Sequence, residues 1–272
     1  MDNKVVVKIV ALSFGITWGI GGIFLIANRF GYLEFGTPLS MVLFIIGVIA
    51  PAIATFIVLP KNSVITVKEL FKATFAIKQP VIMYLLVIGF VVIYFITAIL
   101  TGILEYTYPI YLSLLTVPIM IFAGGLEEVG WRFVLNPALE RKLPFALACF
   151  ITGIIWSLWH LPVFFIDNSP QAEINFFIFT IISIGLSFAY AAVYRISKSI
   201  WLCVLIHSLN NALYGSFLLR LETFETAVIP TTIISIVLII ASILAITVAG
   251  KNMKIVYNKS ILLLILGYLR KH

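Results

Sequence analysis

Glu127, Glu128 and Arg132 stand at the end of about twenty mostly apolar residues, in the stretch Gly124-Gly-Leu-Glu-Glu-Val-Gly-Trp-Arg132. A charge in hydrocarbon costs about 2.5–3.5 kcal/mol on insertion scales, so such groups need partners or a task. Two further polar sets lie in apolar surroundings: His160, in Trp156-Ser-Leu-Trp-His160, and His207 with Asn211, in His207-Ser-Leu-Asn-Asn211. Apart from His272, these are the histidines of the chain. A carboxylate and two imidazoles are the parts from which proteins activate water. Glu127, His160 and His207 could hold a metal such as zinc. Equally, Glu127 could serve as a general base while imidazole and amide groups steady an oxyanion.

Spacing relates these groups to one another. Glu128 and Arg132 are four apart with the acid first, which on a helix favours an ion pair. His207 and Asn211 are also four apart and share a face, whereas Asn210 points about 100° away. Positions 127 and 160 are equidistant from Leu143–Pro144, so two antiparallel helices turning there bring Glu127 and His160 to one height. Depth is less tidy. At 1.5 Å per residue His207 lies about 10 Å past Ile200 and His160 about 25 Å past Leu143. The two heights agree only if the chain from Phe133 to about Cys149 extends beyond the membrane surface or is covered by other protein. Each group alone has a plainer reading: a His or Asn as interhelical hydrogen-bond partner, a Glu–Arg pair as a packing lock. Six such groups on three segments favour a site. Arg29 and Glu34 read as an ordinary loop pair.

The elements that must position these groups are membrane spans. Of 272 residues, 62% are hydrophobic and 11% charged, with a mean hydropathy of +1.16; soluble domains carry about 25% charge. Apolar runs of spanning length, about 20 residues, occur near Val5–Ala27, Pro38–Leu59, Val81–Ile103, Pro109 into the Glu-Glu motif, Leu143–Ile166, Ile174–Tyr194, Ile200–Leu219 and Val228–Ala249. The sequence thus predicts a single all-α polytopic membrane domain over 1–272, with about eight transmembrane helices and the polar groups on spans four, five and seven. The first run is too long for a signal core and reads as a retained span. The net charge of +7 reflects loops, not nucleic-acid binding: with eight spans, 16 of the 18 Lys and Arg fall on one side, leaving Arg29 and Arg220 on the other. That asymmetry places both termini in the cytoplasm. Asn62–Lys78 is amphipathic and reads as a short surface helix, and Ile261–Leu269 is too short to span and reads as interfacial or re-entrant. Cys149 and Cys203 lie in apolar runs as free, buried thiols.

The three motifs in this order resemble the CAAX protease and bacteriocin-processing enzymes, also called the Abi family, which are intramembrane endopeptidases. The first family motif, Glu-Glu-x-x-x-Arg, corresponds to Glu127-Glu128-Val-Gly-Trp-Arg132. The second, Phe-x-x-x-His, corresponds to Trp156–His160 with Trp in place of Phe. The third, His-x-x-x-Asn/Asp, corresponds to His207–Asn211. The resemblance covers a catalytic core of about 111–219. It implies that Glu127 and His160 activate water, that His207 and Asn211 stabilise the tetrahedral oxyanion, and that Glu128 and Arg132 orient the site. Family members are described both as metalloendopeptidases and as metal-independent glutamate proteases. The second is favoured here, because zinc on Glu127, His160 and His207 leaves only an Arg132-bound Glu128 as base.

The substrate is then expected to be a peptide or membrane protein, lipidated as in CAAX processing or of the bacteriocin-precursor type, met at a bacterial cell membrane among its lipids. A role in bacteriocin self-immunity fits the family as well. Two other classes compete: a proton-coupled transporter using the same groups as a relay, which predicts inverted repeats not found here, and a non-catalytic immunity or scaffold protein that keeps the cluster for packing.

Overall fold

The computed structural model describes residues 2–219 and 223–252, and the Ile261–Leu269 expectation lies outside them. The chain opens with α1 (Asn3–Arg29), followed by α2 (Pro38–Val48) and α3 (Ala50–Val58). The last two meet at a 49° bend. Pro51 explains it: a proline has no N–H to give to the carbonyl four residues back. That carbonyl, Gly47 O, instead accepts the Thr17 hydroxyl of α1 at 2.7 Å, so the bend is tied to its neighbour.

The surface helix α4 (Val67–Thr74) begins in a capping box in which the Thr66 side chain accepts from Glu69 N and the Glu69 carboxylate accepts from Thr66 N. Those Thr66 backbone and hydroxyl donors hold the Glu69 carboxyl below its usual range. α5 (Val81–Leu100) shows how a span sorts its faces. Val81, Leu85, Ile88, Val92, Ile96 and Ile99 form an exposed stripe, while Val87, Phe90, Val91, Tyr94 and Ala98 are buried. This is the 3.6-residue period of a helix with one face on protein and the other toward lipid.

The segment expected as the fourth span is not one helix. It comprises α6 (Ile110–Leu114), α7 (Val117–Phe122), a 3-10 turn (Gly125–Glu127), the single turn α8 (Glu128–Gly130), a π-helix (Trp131–Leu135) and α9 (Asn136–Glu140). The segments expected as spans five and seven are α10 (Phe145–Trp159), continued by a 3-10 helix (Leu161–Phe165), and α12 (Ile200–Tyr214). At 15 residues each, these two reach about 22 Å, short of a bilayer core. By length and composition four described helices can cross a membrane alone, α1, α5, α11 (Phe176–Ser197) and α13 (Phe224–Asn252), and five spans result if the bent α2–α3 pair counts as one. The protein is an all-α polytopic membrane protein whose motif-bearing segments are its short or broken ones.

α11 lies at the centre, in contact with α5, α10, α12 and α13. Glycines set its closest crossings. A Cβ on Gly153 of α10 would meet Ile184 Cα at 2.8 Å, and one on Gly185 would meet Ser235 Cα of α13 at 2.7 Å. A short antiparallel pair, β1 (Leu104–Tyr106) with β2 (Phe217–Leu219), ties the end of α5 to the end of α12. Both cysteines are free and buried. Lone hydroxyls mostly bond back along their own helix, as Ser13 to Ile9 O and Thr55 to Pro51 O. Gly185→Leu should push α11 from α13 and cost about 1–3 kcal/mol, the usual penalty of overpacking. Thermal unfolding in detergent reads this as a lower midpoint, and a wild-type midpoint would contradict the crossing.

Candidate active site

The candidate site begins at the break before Glu127. Gly124 adopts φ +145°, a region that disfavours a Cβ. A Cβ there would collide with Asn211 Nδ2 and come within 3.0 Å of His207 Nε2. The glycine thus ends α7, turns the chain and lets it pass α12 at contact distance. Gly125 and Gly130 continue the approach: their Cβ atoms would lie 2.9 Å from Val204 O and 3.1 Å from Pro51 O.

Glu128 has no exposed surface. Its Oε1 is 2.8 Å from His207 Nδ1 and its Oε2 is 3.3 Å from Arg132 Nε. The i,i+4 relation survives the change to a π-helix. The Arg132 contact is an ion pair out of line for a hydrogen bond, and among the described residues the guanidinium nitrogens find no hydrogen-bond acceptor. Aromatic faces compensate, with the guanidinium carbon 5.2 Å from the Trp156 ring centre and 5.4 Å from that of Tyr190. Both contacts are within cation–π range.

Glu127 is 2% exposed and partnered differently. Its Oε2 accepts the Trp156 indole N–H at 2.6 Å, and its Oε1 is 3.9 Å from His160 Nε2. His160 Nδ1 is 2.9 Å from Trp156 O. A carbonyl can only accept, so Nδ1 carries the proton and Nε2 presents its lone pair toward Glu127. Trp156 thus does more than line a wall in place of the family's Phe: the indole N–H ties down one Glu127 oxygen, a bond Phe cannot make. That role was not read from the sequence, and the signal available was an indole donor four residues before His160.

Asn211 donates Nδ2–H to Ala123 O at 3.2 Å, on the same side of Gly124 as His207 Nε2. Asn210 faces elsewhere, donating to the Tyr190 hydroxyl at 2.8 Å. The structure therefore brings together all six sequence-predicted groups, Glu127, Glu128, Arg132, His160, His207 and Asn211. Arg29 departs from expectation: it pairs with Asp167 at 3.1 Å rather than with Glu34. As a metal site the cluster fits poorly. No three His, Cys, Asp or Glu side chains among the described residues converge as a ligand set.

Residues 109–213 match the family model described as "Type II CAAX prenyl endopeptidase Rce1-like". Over this segment the chain is similar to the CAAX protease and bacteriocin-processing family. The CAAX prenyl protease 2 of Methanococcus maripaludis is 33% identical over 102 residues, which covers 34% of this chain and 37% of that relative. The match therefore spans little more than a third of the family relative. Every one of the six clustered groups falls within 109–213, and α1 to α5 lie outside it.

The buried Glu128–Arg132–His207 set makes a sharp prediction. Arg132→Met leaves Glu128 with one partner, and breaking a buried pair costs about 3–5 kcal/mol. Glu128→Gln combined with Arg132→Met removes both charges and should recover part of the thermal midpoint lost in Arg132→Met. A double variant that melts at or below the single one would contradict the pairing.

Proposed function

We propose that this protein is an intramembrane endopeptidase in which Glu127 and His160 activate a water molecule without a metal. The observation that carries the reading is the convergence of two acceptors, Glu127 Oε1 and His160 Nε2, 3.9 Å apart. That separation is too long for a direct hydrogen bond and suits a bridging water, whose two O–H bonds each find an acceptor. Trp156 occupies the other Glu127 oxygen, so only Oε1 is presented.

The steps follow from the partners. Water gives a proton to Glu127 Oε1 as its oxygen attacks the scissile carbonyl carbon. Charge gathers on the carbonyl oxygen, for which His207 Nε2 and the second Asn211 amide proton are the donors at the Gly124 gap. In its doubly protonated form His207 gives Nδ1–H to Glu128 and Nε2–H to the oxyanion. On collapse the C–N bond breaks, and the leaving nitrogen takes the proton from Glu127. Glu128 and Arg132 orient His207 and stay out of the proton transfers.

The substrate reading follows from the surroundings of His160. A shallow apolar groove between α1, α2 and the 3-10 helix after α10 reaches His160 and is lined by Ile20, Phe24, Leu43, Phe44 and Val163 among others. Such a lining suits the hydrocarbon of a lipidated peptide or the side chains of a membrane-inserted one. The relative named a CAAX prenyl protease favours a prenylated C-terminal tail; a bacteriocin-type precursor is the alternative on the same chemistry. Counted over the eight apolar runs of the sequence, the lysine and arginine distribution supports both termini facing the cytoplasm.

The test is cleavage of lipidated and unlipidated peptides by purified wild type and Glu127→Gln, with and without a chelator. Glu127→Gln should lose about 10²–10⁴-fold, the usual share of general-base catalysis, while chelation leaves the wild type unchanged. Equal cleavage by both proteins would overturn the assignment, and activity lost on chelation and restored by zinc would overturn the metal-free mechanism.

A further inference from the structure

We propose that α1 is a clasp that holds His160 in register with Glu127, with Trp18, Gly21, Asn28 and Arg29 as its positioning residues. This helix lies outside the family-matched segment 109–213. His160 sits where α10 ends and the 3-10 helix begins, so no continuous helix fixes its position. Its own segment supplies local bonds, from His160 N to Ser157 O at 3.1 Å, from Val163 N to His160 O at 3.1 Å and from Nδ1 to Trp156 O, and α11 adds the Phe179 ring, 5.0 Å from the imidazole centre.

The lateral hydrogen bonds come from α1, at successive points along its length. Trp18 Nε1 donates to Trp159 O at 3.2 Å, a carbonyl at the helix end that has no partner within the helix. Trp159 Nε1 donates back to Ser13 O at 3.4 Å. Gly21 lets the helix press on the residue two beyond His160: a Cβ there would stand 2.7 Å from Pro162 Cβ. At the far end Asn28 Oδ1 accepts from Asp167 N at 2.9 Å. Arg29 meets Asp167 Oδ2 at 3.1 Å and donates to Phe165 O at 3.2 Å. From Ser13 to Arg29 the grip runs about 24 Å along one helix. It contacts residues 159, 162, 165 and 167, on both sides of position 160.

A structural latch would be placed where burial makes it strong. The Arg29–Asp167 pair is more than half exposed on both side chains and adds little stability. Position is what it governs. The gap between Glu127 Oε1 and His160 Nε2 suits one water, and a misplacement of 1 Å costs on the order of 100-fold in rate.

The kinetic part of this inference rests on the endopeptidase reading, so the primary readout is independent of cleavage. The full-length protein in detergent is treated with diethyl pyrocarbonate, and carbethoxylation of His160 and His207 is followed by mass spectrometry. Trp18→Phe, which removes one N–H, and Arg29→Ala should each speed modification of His160 several-fold, leave His207 unchanged and barely move the thermal midpoint. Arg29→Lys, which keeps the charge opposite Asp167, should stay close to wild type. On a cleaved peptide the first two variants should lose about tenfold or more in kcat with little change in KM, as expected of sub-ångström misplacement. Unchanged His160 modification in both Trp18→Phe and Arg29→Ala would overturn the clasp. Faster modification in a protein whose wild type cleaves nothing would uphold the clasp and sink the endopeptidase reading.

Discussion

A carboxylate with no exposed surface has to be neutralised where it stands, and for Glu128 two groups do so: Arg132 from the next turn and His207 from α12. Removing Glu128 or Arg132 strands a charge in the interior, and removing His207 leaves Glu128 Oε1 without its partner. The pairing therefore dictates that the Glu-Glu segment and α12 lie against each other. The glycines at 124, 125 and 130 are what let the backbones come that close. It also separates two chemically identical neighbours. Glu128 spends both oxygens on fixed partners, while Glu127 has one oxygen held by Trp156 and the other turned toward His160.

The same constraint accounts for the broken helices. A regular helix places successive side chains about 100° apart, which would send Glu127 and Glu128 to different neighbours without adjusting either. A 3-10 turn before Glu128 and a π-helix after Gly130 change the local twist on both sides of the pair, and π-helical turns are frequent at functional sites. Short helices also shape the surroundings of His160. α10 ends at Trp159 and leaves His160 at a helix terminus beside the apolar groove.

Much of this was legible in the sequence because it depends on spacing. The four-residue separations of Glu128–Arg132 and His207–Asn211, and the equal distances of Glu127 and His160 from Leu143–Pro144, are helix arithmetic that tertiary packing left intact. The apolar runs of α1, α5, α11 and α13 were legible for the same reason. What escaped the sequence depends on contacts between distant segments. Arg29 had Glu34 nearby in the chain, yet α1 carries it to Asp167, and nothing local encodes that choice. Trp156 reads in the sequence only as Trp in place of Phe, and its indole donor gains a role only with Glu127 beside it. The division of the fourth apolar run into short pieces was signalled only by Gly124-Gly125, because hydropathy does not distinguish a straight span from a folded-back one. The pairing of β1 with β2 joins segments more than a hundred residues apart and leaves no periodic trace.

The central claim is that Glu127 and Glu128 divide one site into a water-activating half and an oxyanion-orienting half. It is tested most directly by an experimental structure of Glu127→Gln holding an uncleaved peptide. The account predicts the scissile carbonyl oxygen within hydrogen-bond distance of His207 Nε2 and Asn211 Nδ2 beside Gly124. It also predicts a water between position 127 and His160 Nε2, and Glu128 still bound to Arg132 and His207. A peptide bound away from Gly124, or a carbonyl oxygen directed at Arg132 with His207 turned aside, would contradict it.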